Sequence, residues 1–122
     1  MSSISYMAQP SPDCRRKFPR ARANWPTRVV NAQKRVMKAT CTNISEGGCQ
    51  LEMSDHLRDG DKILMEFAAY LYTEKHKFKI LGQITYQSLH AASGTYHYGV
   101  KFLTELGDDK QFVRKYVASH LN

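Results

Sequence analysis

The residues best suited to binding chemistry lie in a short basic segment near the start of the chain, residues 15–20, which read RRKFPR. Pro19 disfavours a helix that would spread these charges along one face. The arginine guanidinium matches phosphate oxygens and the O6/N7 edge of guanine, and its flat face can stack on a base. We interpret the segment as an anion clamp, with Arg15, Arg16 and Arg20 as candidate ligand-binding residues. A solvated basic tail is the alternative.

A second segment, residues 43–48, reads NISEGG and supplies complementary chemistry in the form of polar side chains and glycines. The charge distribution supports a localised site. Residues 1–40 carry nine Lys and Arg against one acid, a balance of +8, whereas residues 41–122 carry a balance of −1. The excess positive charge therefore lies within residues 1–40, as expected of a localised polyanion site.

The length of 122 residues fits one domain with one core. We expect a flexible, Ser- and Pro-rich tail at residues 1–13 and a folded domain at 14–122. No apolar tract is long enough to span a bilayer, and residues 1–12 lack the pattern of a secretion signal. These features predict a cytoplasmic protein without membrane insertion.

The sulfur and imidazole side chains show no metal or disulfide pattern. The chain has three cysteines, an odd number, and Cys14, Cys41 and Cys49 show no CxxC spacing. The five histidines are scattered along the sequence. We predict no metal site, and reduced thiols at Cys41 and Cys49 that face each other across a hairpin. Without a nucleophile–base pair or paired carboxylates, we also predict no enzymatic activity.

The hydrophobic pattern predicts a mainly β protein. Apolar residues alternate with polar ones in most of the candidate strands, and Gly82 inside one of them suggests a bend or bulge. The predicted strands cover residues 24–31, 35–42, 49–53, 62–70, 78–86 and 96–102.

The end of the chain changes to helical periodicity. Residues 107–109 (GDD) indicate a turn with an acidic N-cap, followed by an amphipathic helix. Six strands and one terminal helix predict an antiparallel six-stranded β-barrel with the helix packed across it, because closure removes exposed sheet edges. The predicted apolar face of the helix comprises Phe112, Val113, Tyr116, Val117 and Leu121.

The two polar segments together resemble the signature of PilZ domains. Arg16 and Arg20 match RxxxR, and Asn43, Ser45 and Gly48 match (D/N)xSxxG, in the family's order. The resemblance extends from about residue 14 to the C-terminus and implies a PilZ-like split barrel that binds the bacterial second messenger cyclic di-GMP. It implies no other cofactor. Arg16 and Arg20 would hold phosphate and guanine, and Arg15 would add a phosphate or stacking contact.

The resemblance assigns the remaining ligand contacts to the second segment. Asn43 would meet a guanine edge, Ser45 would offer its hydroxyl, and Gly47 and Gly48 would permit positive φ or close backbone approach. Alternatively, Asn43 and Ser45 form a local turn and the glycines serve the hairpin alone. We expect an arm over residues 13–22 that is mobile without ligand, and a largely preformed loop over residues 43–48.

As a PilZ-like protein, the chain is expected to act as a stand-alone adaptor, either a monomer or a weak homodimer. It would signal to an unidentified effector protein in motility, exopolysaccharide, biofilm or virulence regulation. Two alternatives remain. One is a small basic barrel that binds single-stranded nucleic acid, favoured by the arm and the Tyr96/Tyr98 pair but disfavoured by the core-like alternation of these aromatics. The other is a PilZ-fold interaction scaffold that does not bind the nucleotide.

Overall fold

The computed structural model describes residues 18–120, which form a closed antiparallel barrel of six strands followed by one helix. The predicted number of strands, their antiparallel pairing and the terminal helix are confirmed. Around the barrel the strands follow the order β1-β2-β3-β6-β5-β4, and β4 pairs with β1 to close it. The elements are β1 (Ala21–Val30), β2 (Val36–Ile44), β3 (Gly48–Met53), β4 (Lys62–Leu71), β5 (Glu74–His90), β6 (Thr95–Phe102) and α1 (Lys110–Ser119).

Alternating side chains fill the barrel. Strand β4 illustrates the pattern, because every second residue from Ile63 to Leu71 is buried while Lys62 and Tyr70 are exposed. Closure leaves one continuous core inside and places all functional groups on the outer surface, at the mouths or in the loops. Within the described part of the chain, no helix combines the length and hydropathy needed to cross a membrane.

Helix α1 covers one mouth of the barrel through an aromatic cluster. Trp25 is buried there, with its ring centroid 4.6 Å from that of Tyr116 and 6.2 Å from that of Phe112. The Tyr116 hydroxyl donates a 2.7 Å hydrogen bond to the carbonyl oxygen of Arg22. Four of the five residues predicted for the apolar face of the helix are buried; Leu121 lies outside the described residues.

The predicted acidic N-cap residue is present, since Asp109 occupies this position of α1, but it does not cap the helix through a hydrogen bond. A 3₁₀ turn at Gly107–Asp109 precedes α1, and the Asp109 side chain makes no capping hydrogen bond. Its Oδ1 lies 2.8 Å from Nε2 of His76 on β5, and the His76 ring stacks on Phe112 with centroids 4.4 Å apart. The carboxylate therefore ties the start of the helix to the barrel wall instead of to its own backbone.

Strands β1 and β2 are longer than predicted. Ala21 pairs with Ile44 and Arg22 with Asn43, so β1 begins three residues before Asn24 and β2 runs to Ile44. Asn43 is thus a strand residue, not a loop residue, and the end of the expected mobile arm belongs to the sheet. The hydrophobic pattern does not reveal this extension, because Arg22 and Asn43 are polar side chains on an outer surface.

The bulge in β5 lies at Thr85 and not at Gly82. Pairing with β4 is continuous through Gly82, whereas pairing with β6 shifts between Ile84 and Tyr86. A Cβ at Gly82 would lie 2.5 Å from both Met65 Cε and Val100 Cγ1, so this glycine makes room for core packing. The extra residue at Thr85 turns Tyr86 to the outer surface, against its predicted place in the core alternation.

Cys41 and Cys49 are buried free thiols, as predicted. They are not directly opposite each other, because Cys41 pairs with Leu51 and Cys49 with Ile44. Burial raises the pKa of the Cys49 thiol well above its usual value, and the neighbouring Cys41 raises it further. Cys14 lies outside the described residues.

The buried thiols should resist alkylation. Because the thiolate is the nucleophile, iodoacetamide at about pH 8 should modify both positions far more slowly in the native protein than in urea, where a thiol pKa is about 8.5. The raised pKa in the folded state also means that the free energy of unfolding falls as the pH rises above the unfolded value. Mass spectrometry of the peptides measures both rates. Equal rates in native and unfolded protein, or a 41–49 disulfide in fresh lysate, would contradict this.

Removing a buried aromatic side chain of the helix interface should destabilise the protein strongly. Phe112→Ala is expected to cost about 3–5 kcal/mol, because it leaves a cavity beside Trp25. Gln111→Ala is the matched control, since Gln111 is exposed on the same helix and should change the stability little. Urea unfolding followed by tryptophan fluorescence measures both. Equal stability of the two variants would show that the helix does not close the core.

Candidate functional site

A cavity of about 530 Å³ lies on the outside of the barrel, over β3, β6 and the bulged part of β5. The loop between β2 and β3 and the residues before β1 border it. Five of the seven predicted site residues line this cavity: Arg20, Asn43, Ser45, Gly47 and Gly48. Arg15 and Arg16 lie outside the described residues, so their predicted roles remain predictions.

Arg20 and Asn43 join the two polar segments directly. The Arg20 Nε donates a 2.8 Å hydrogen bond to Oδ1 of Asn43, across 23 residues of sequence. The pairing of Arg22 with Asn43 places the start of β1 next to the end of β2 and makes this contact possible. Asn43 therefore orients a guanidinium at the cavity, and the alternative in which its side chain forms a local turn is not observed.

Ser45 shapes the loop between β2 and β3. Its side-chain oxygen accepts hydrogen bonds from the amides of Gly47 and Gly48, both at 3.2 Å, and lies 3.3 Å from the Gly48 carbonyl oxygen. Its own amide donates to that carbonyl at 2.9 Å. The local-turn alternative is thus observed for Ser45. This residue is buried, with 8% of its surface exposed. These contacts stabilise the tight loop, as Ser side chains commonly do in turns.

Gly47 and Gly48 serve close approach and not positive φ, since neither has a positive φ angle. A Cβ on Gly48 would collide with the backbone carbonyl of Val100 on β6. A Cβ on Gly47 would lie 2.9 Å from the ring of Phe18, which packs over the loop. The glycines thus allow the loop to lie against β6 and allow Phe18 to hold the incoming chain against the barrel.

An aromatic platform on the cavity wall was missed by the sequence analysis. Tyr86, turned outward by the bulge, lies across Gly99 of β6, where any Cβ would collide with its ring. Its hydroxyl accepts a 2.6 Å hydrogen bond from Nε2 of Gln50 on β3. The ring thus spans three strands and is 45% exposed. A glycine inside the alternating β6 pattern was the available signal, because strand glycines often mark close approach.

The cavity is electrostatically one-sided. Arg20 and Lys101 supply cationic groups, and none of the described residues that line it carries a carboxylate. Within residues 18–120, no three His, Cys, Asp or Glu side chains cluster to hold a metal ion. The site is therefore suited to an anionic ligand with a flat apolar part that can lie on Tyr86.

The loop of the site is also connected to helix α1. Arg114 Nε lies 3.0 Å from Oε1 of Glu46, whose side chain is largely buried. The amide of Phe102, at the end of β6, donates a 2.9 Å hydrogen bond to the Gly47 carbonyl oxygen. A displacement of the β2–β3 loop would therefore disturb contacts with both helix α1 and strand β6.

Several solved structures share this fold. The chain is 14% identical to the inhibitor of motility MotI from Bacillus subtilis, with a TM-score of 0.76 over 86% of this chain and 50% of that one. It is 17% identical to YcgR from Escherichia coli in complex with c-di-GMP, with a TM-score of 0.71 and coverages of 86% and 45%. The corresponding values for the K. pneumonia MrkH–c-di-GMP complex are 19%, 0.67, 86% and 51%.

In each of these comparisons the chain spans about half the length of the protein that it matches or slightly less. No curated protein shows significant sequence similarity to it. The model of the PilZ domain matches residues 15–119, which is most of the chain. This match includes both polar segments, the six strands and helix α1, and the chain belongs to the PilZ domain family.

Proposed function

We propose that this chain is a receptor for cyclic di-GMP that binds the messenger in the cavity beside the β2–β3 loop and signals to a protein partner. The observation that carries the proposal is the Arg20–Asn43 hydrogen bond, which brings the two polar segments together at one carboxylate-free cavity. The cavity volume of about 530 Å³ is within the range of small-molecule sites.

The ligand carries two phosphates and two guanines, and the cavity offers groups for both. The Arg20 guanidinium suits a phosphate or the O6/N7 edge of guanine, and Lys101 adds positive charge. Asn43 retains its amide donors, since its oxygen accepts from Arg20. The ring of Tyr86 offers a stacking surface for a guanine. Arg15 and Arg16 would complete the site from the preceding segment.

Ser45, Gly47 and Gly48 support this site by shaping the loop. The Ser45 hydroxyl fixes the loop amides, and the two glycines let the loop pack closely against β6 and Phe18 at the edge of the cavity. Ligand seated on this loop would act on helix α1 through the Glu46–Arg114 ion pair. This route gives the receptor a way to change the surface that a partner meets.

The nucleic-acid alternative loses one of the two tyrosine rings that favoured it. Tyr98 is fully buried, and its hydroxyl donates to the Asp55 carbonyl and accepts from the Leu57 amide, both at 2.8 Å. Tyr98 therefore secures the loop at the second mouth of the barrel and offers no ring for a base to stack on. A scaffold that does not bind the nucleotide remains the competing outcome of the following experiments.

Isothermal titration with cyclic di-GMP tests the proposed clamp. Arg20→Ala and Arg16→Ala should each weaken binding about ten- to hundredfold, because each removes charge-assisted hydrogen bonds. Arg22→Ala is the matched control, since Arg22 has the same charge two residues from Arg20 but does not line the cavity. Absence of binding by the wild-type chain would support the scaffold. Equal losses in all three variants would indicate a diffuse basic surface.

The aromatic platform has its own test. Tyr86→Ala should lower the affinity for cyclic di-GMP by about 1–3 kcal/mol if a guanine stacks on the ring. Tyr86→Phe keeps the ring and removes only the hydrogen bond with Gln50, so its affinity should stay close to that of the wild type. The same titration measures both. A Phe variant as weak as the Ala variant would mean that the hydroxyl, and not the ring, serves the ligand.

A further inference from the structure

The outer surface of β1 and β4, opposite the cavity, carries two ordered rows of side chains. In the barrel order, the β1–β4 pair lies across from the β3–β6 pair that bears the cavity. We call this surface, with the adjoining parts of β2 and β5, the β1–β4 face. A groove of about 760 Å³ covers part of it and is lined by residues that include Arg28, Val36, Lys38, Glu66 and Lys77.

The first row is apolar. Val30 pairs with Val36 on β2 and with Leu64 on β4, and Leu64 pairs with Leu81 on β5. These four aliphatic side chains point outward, since their strand neighbours fill the core. Val36 is 51% exposed and Leu81 46% exposed. The four side chains form one contiguous apolar patch beside charged residues, and apolar patches with a polar rim are found at interaction surfaces.

The second row is charged and lies two residues away along each strand. Arg28 pairs with Lys38 on β2 and with Glu66 on β4, and Glu66 pairs with Lys79 on β5. Glu66 lies 3.9 Å from both Arg28 and Lys79, which makes these ion pairs long and weak. Among the described residues, no carboxylate lies within 4 Å of Lys38 or of the nearby Lys77 in the groove. The row therefore retains uncompensated positive charge.

We infer that the β1–β4 face is a docking surface for a partner protein whose contact surface combines aliphatic and acidic side chains. The aliphatic side chains would pack on the apolar row, and the carboxylates would meet the cations of the charged row. Complementary charge raises association rates and selects the partner, while the apolar row supplies buried area. This inference does not depend on ligand binding, because the face and the cavity share no side chain.

Other occupants fit less well. A second copy of the chain would bring two basic faces together at a net charge of +7 each. Residues 1–17 carry three cations and one carboxylate, so that segment has the wrong charge for this face. A nucleic acid would meet Glu66 at the centre of the charged row. An anionic membrane surface would meet the same carboxylate, between Arg28 and Lys79.

Fluorescence anisotropy with a labelled peptide that alternates glutamate and leucine tests the inference. The wild type should bind this peptide and should bind a lysine–leucine peptide at least about tenfold more weakly. Lys38→Glu with Lys79→Glu should lose about tenfold in affinity, and Val36→Ser with Leu81→Ser should lose a similar amount. Cyclic di-GMP affinity should be unchanged in both double variants, so this test fails or succeeds independently of the proposed receptor role.

The matched control is Arg58→Glu with Lys115→Glu, which makes the same change in net charge at exposed positions outside the face. It should bind the peptide like the wild type. No binding of the glutamate–leucine peptide, or an equal loss in the control, would overturn the inference. So would tighter binding of oligothymidine or of phosphatidylserine-containing vesicles through the same Lys38 and Lys79 side chains. Thermal unfolding confirms that each variant is folded.

Discussion

The sheet of this protein closes on itself, because β1 pairs with β2 on one side and with β4 on the other. The rest of the structure depends on that closure. It fills the interior with alternating side chains and leaves one mouth to helix α1, where Trp25 contacts four aromatic rings. It also carries β1 far enough upstream for Arg20 to reach Asn43. The cavity and the core therefore depend on the same strand pairing.

A closed barrel with a filled interior can present different surfaces on its different sides. On one side the bulge at Thr85, the glycine at position 99 and the β2–β3 loop open a basic cavity with an aromatic wall. On the opposite side the strands stay regular, and their outward side chains form rows. Irregular backbone thus accompanies the cavity, while regular strand pairing accompanies the β1–β4 face. The Glu46–Arg114 ion pair connects the loop of the cavity to α1.

Much of this arrangement could be predicted from local patterns. Period-two alternation predicted the strands, and the change to helical periodicity predicted α1. The two polar segments indicated Arg20, Asn43 and the loop glycines as candidate site residues. What failed depended on contacts between distant residues. The alternation from Phe78 to Tyr86 contains no sign of the bulge, because the bulge is defined by pairing with β6.

The same limit explains two other differences. Asp109 has the composition of an N-cap, but His76, 33 residues away, competes for its carboxylate. The rows of the β1–β4 face exist only when four strands are in register, so no single strand reveals them. For Ser45 the sequence left two roles open, a ligand contact and a local turn. The structure shows the turn, in which the Gly47 and Gly48 amides donate hydrogen bonds to the Ser45 side chain.

The central claim is that cyclic di-GMP occupies the cavity beside the β2–β3 loop. Amide chemical-shift mapping during titration with the messenger tests it most directly, because each lining glycine reports its own position. We expect the largest changes at Gly47, Gly48 and Gly99, smaller changes along α1, and none at Lys38 or Lys79 on the opposite face. A spectrum that does not change, or changes concentrated on the β1–β4 face, would contradict the account.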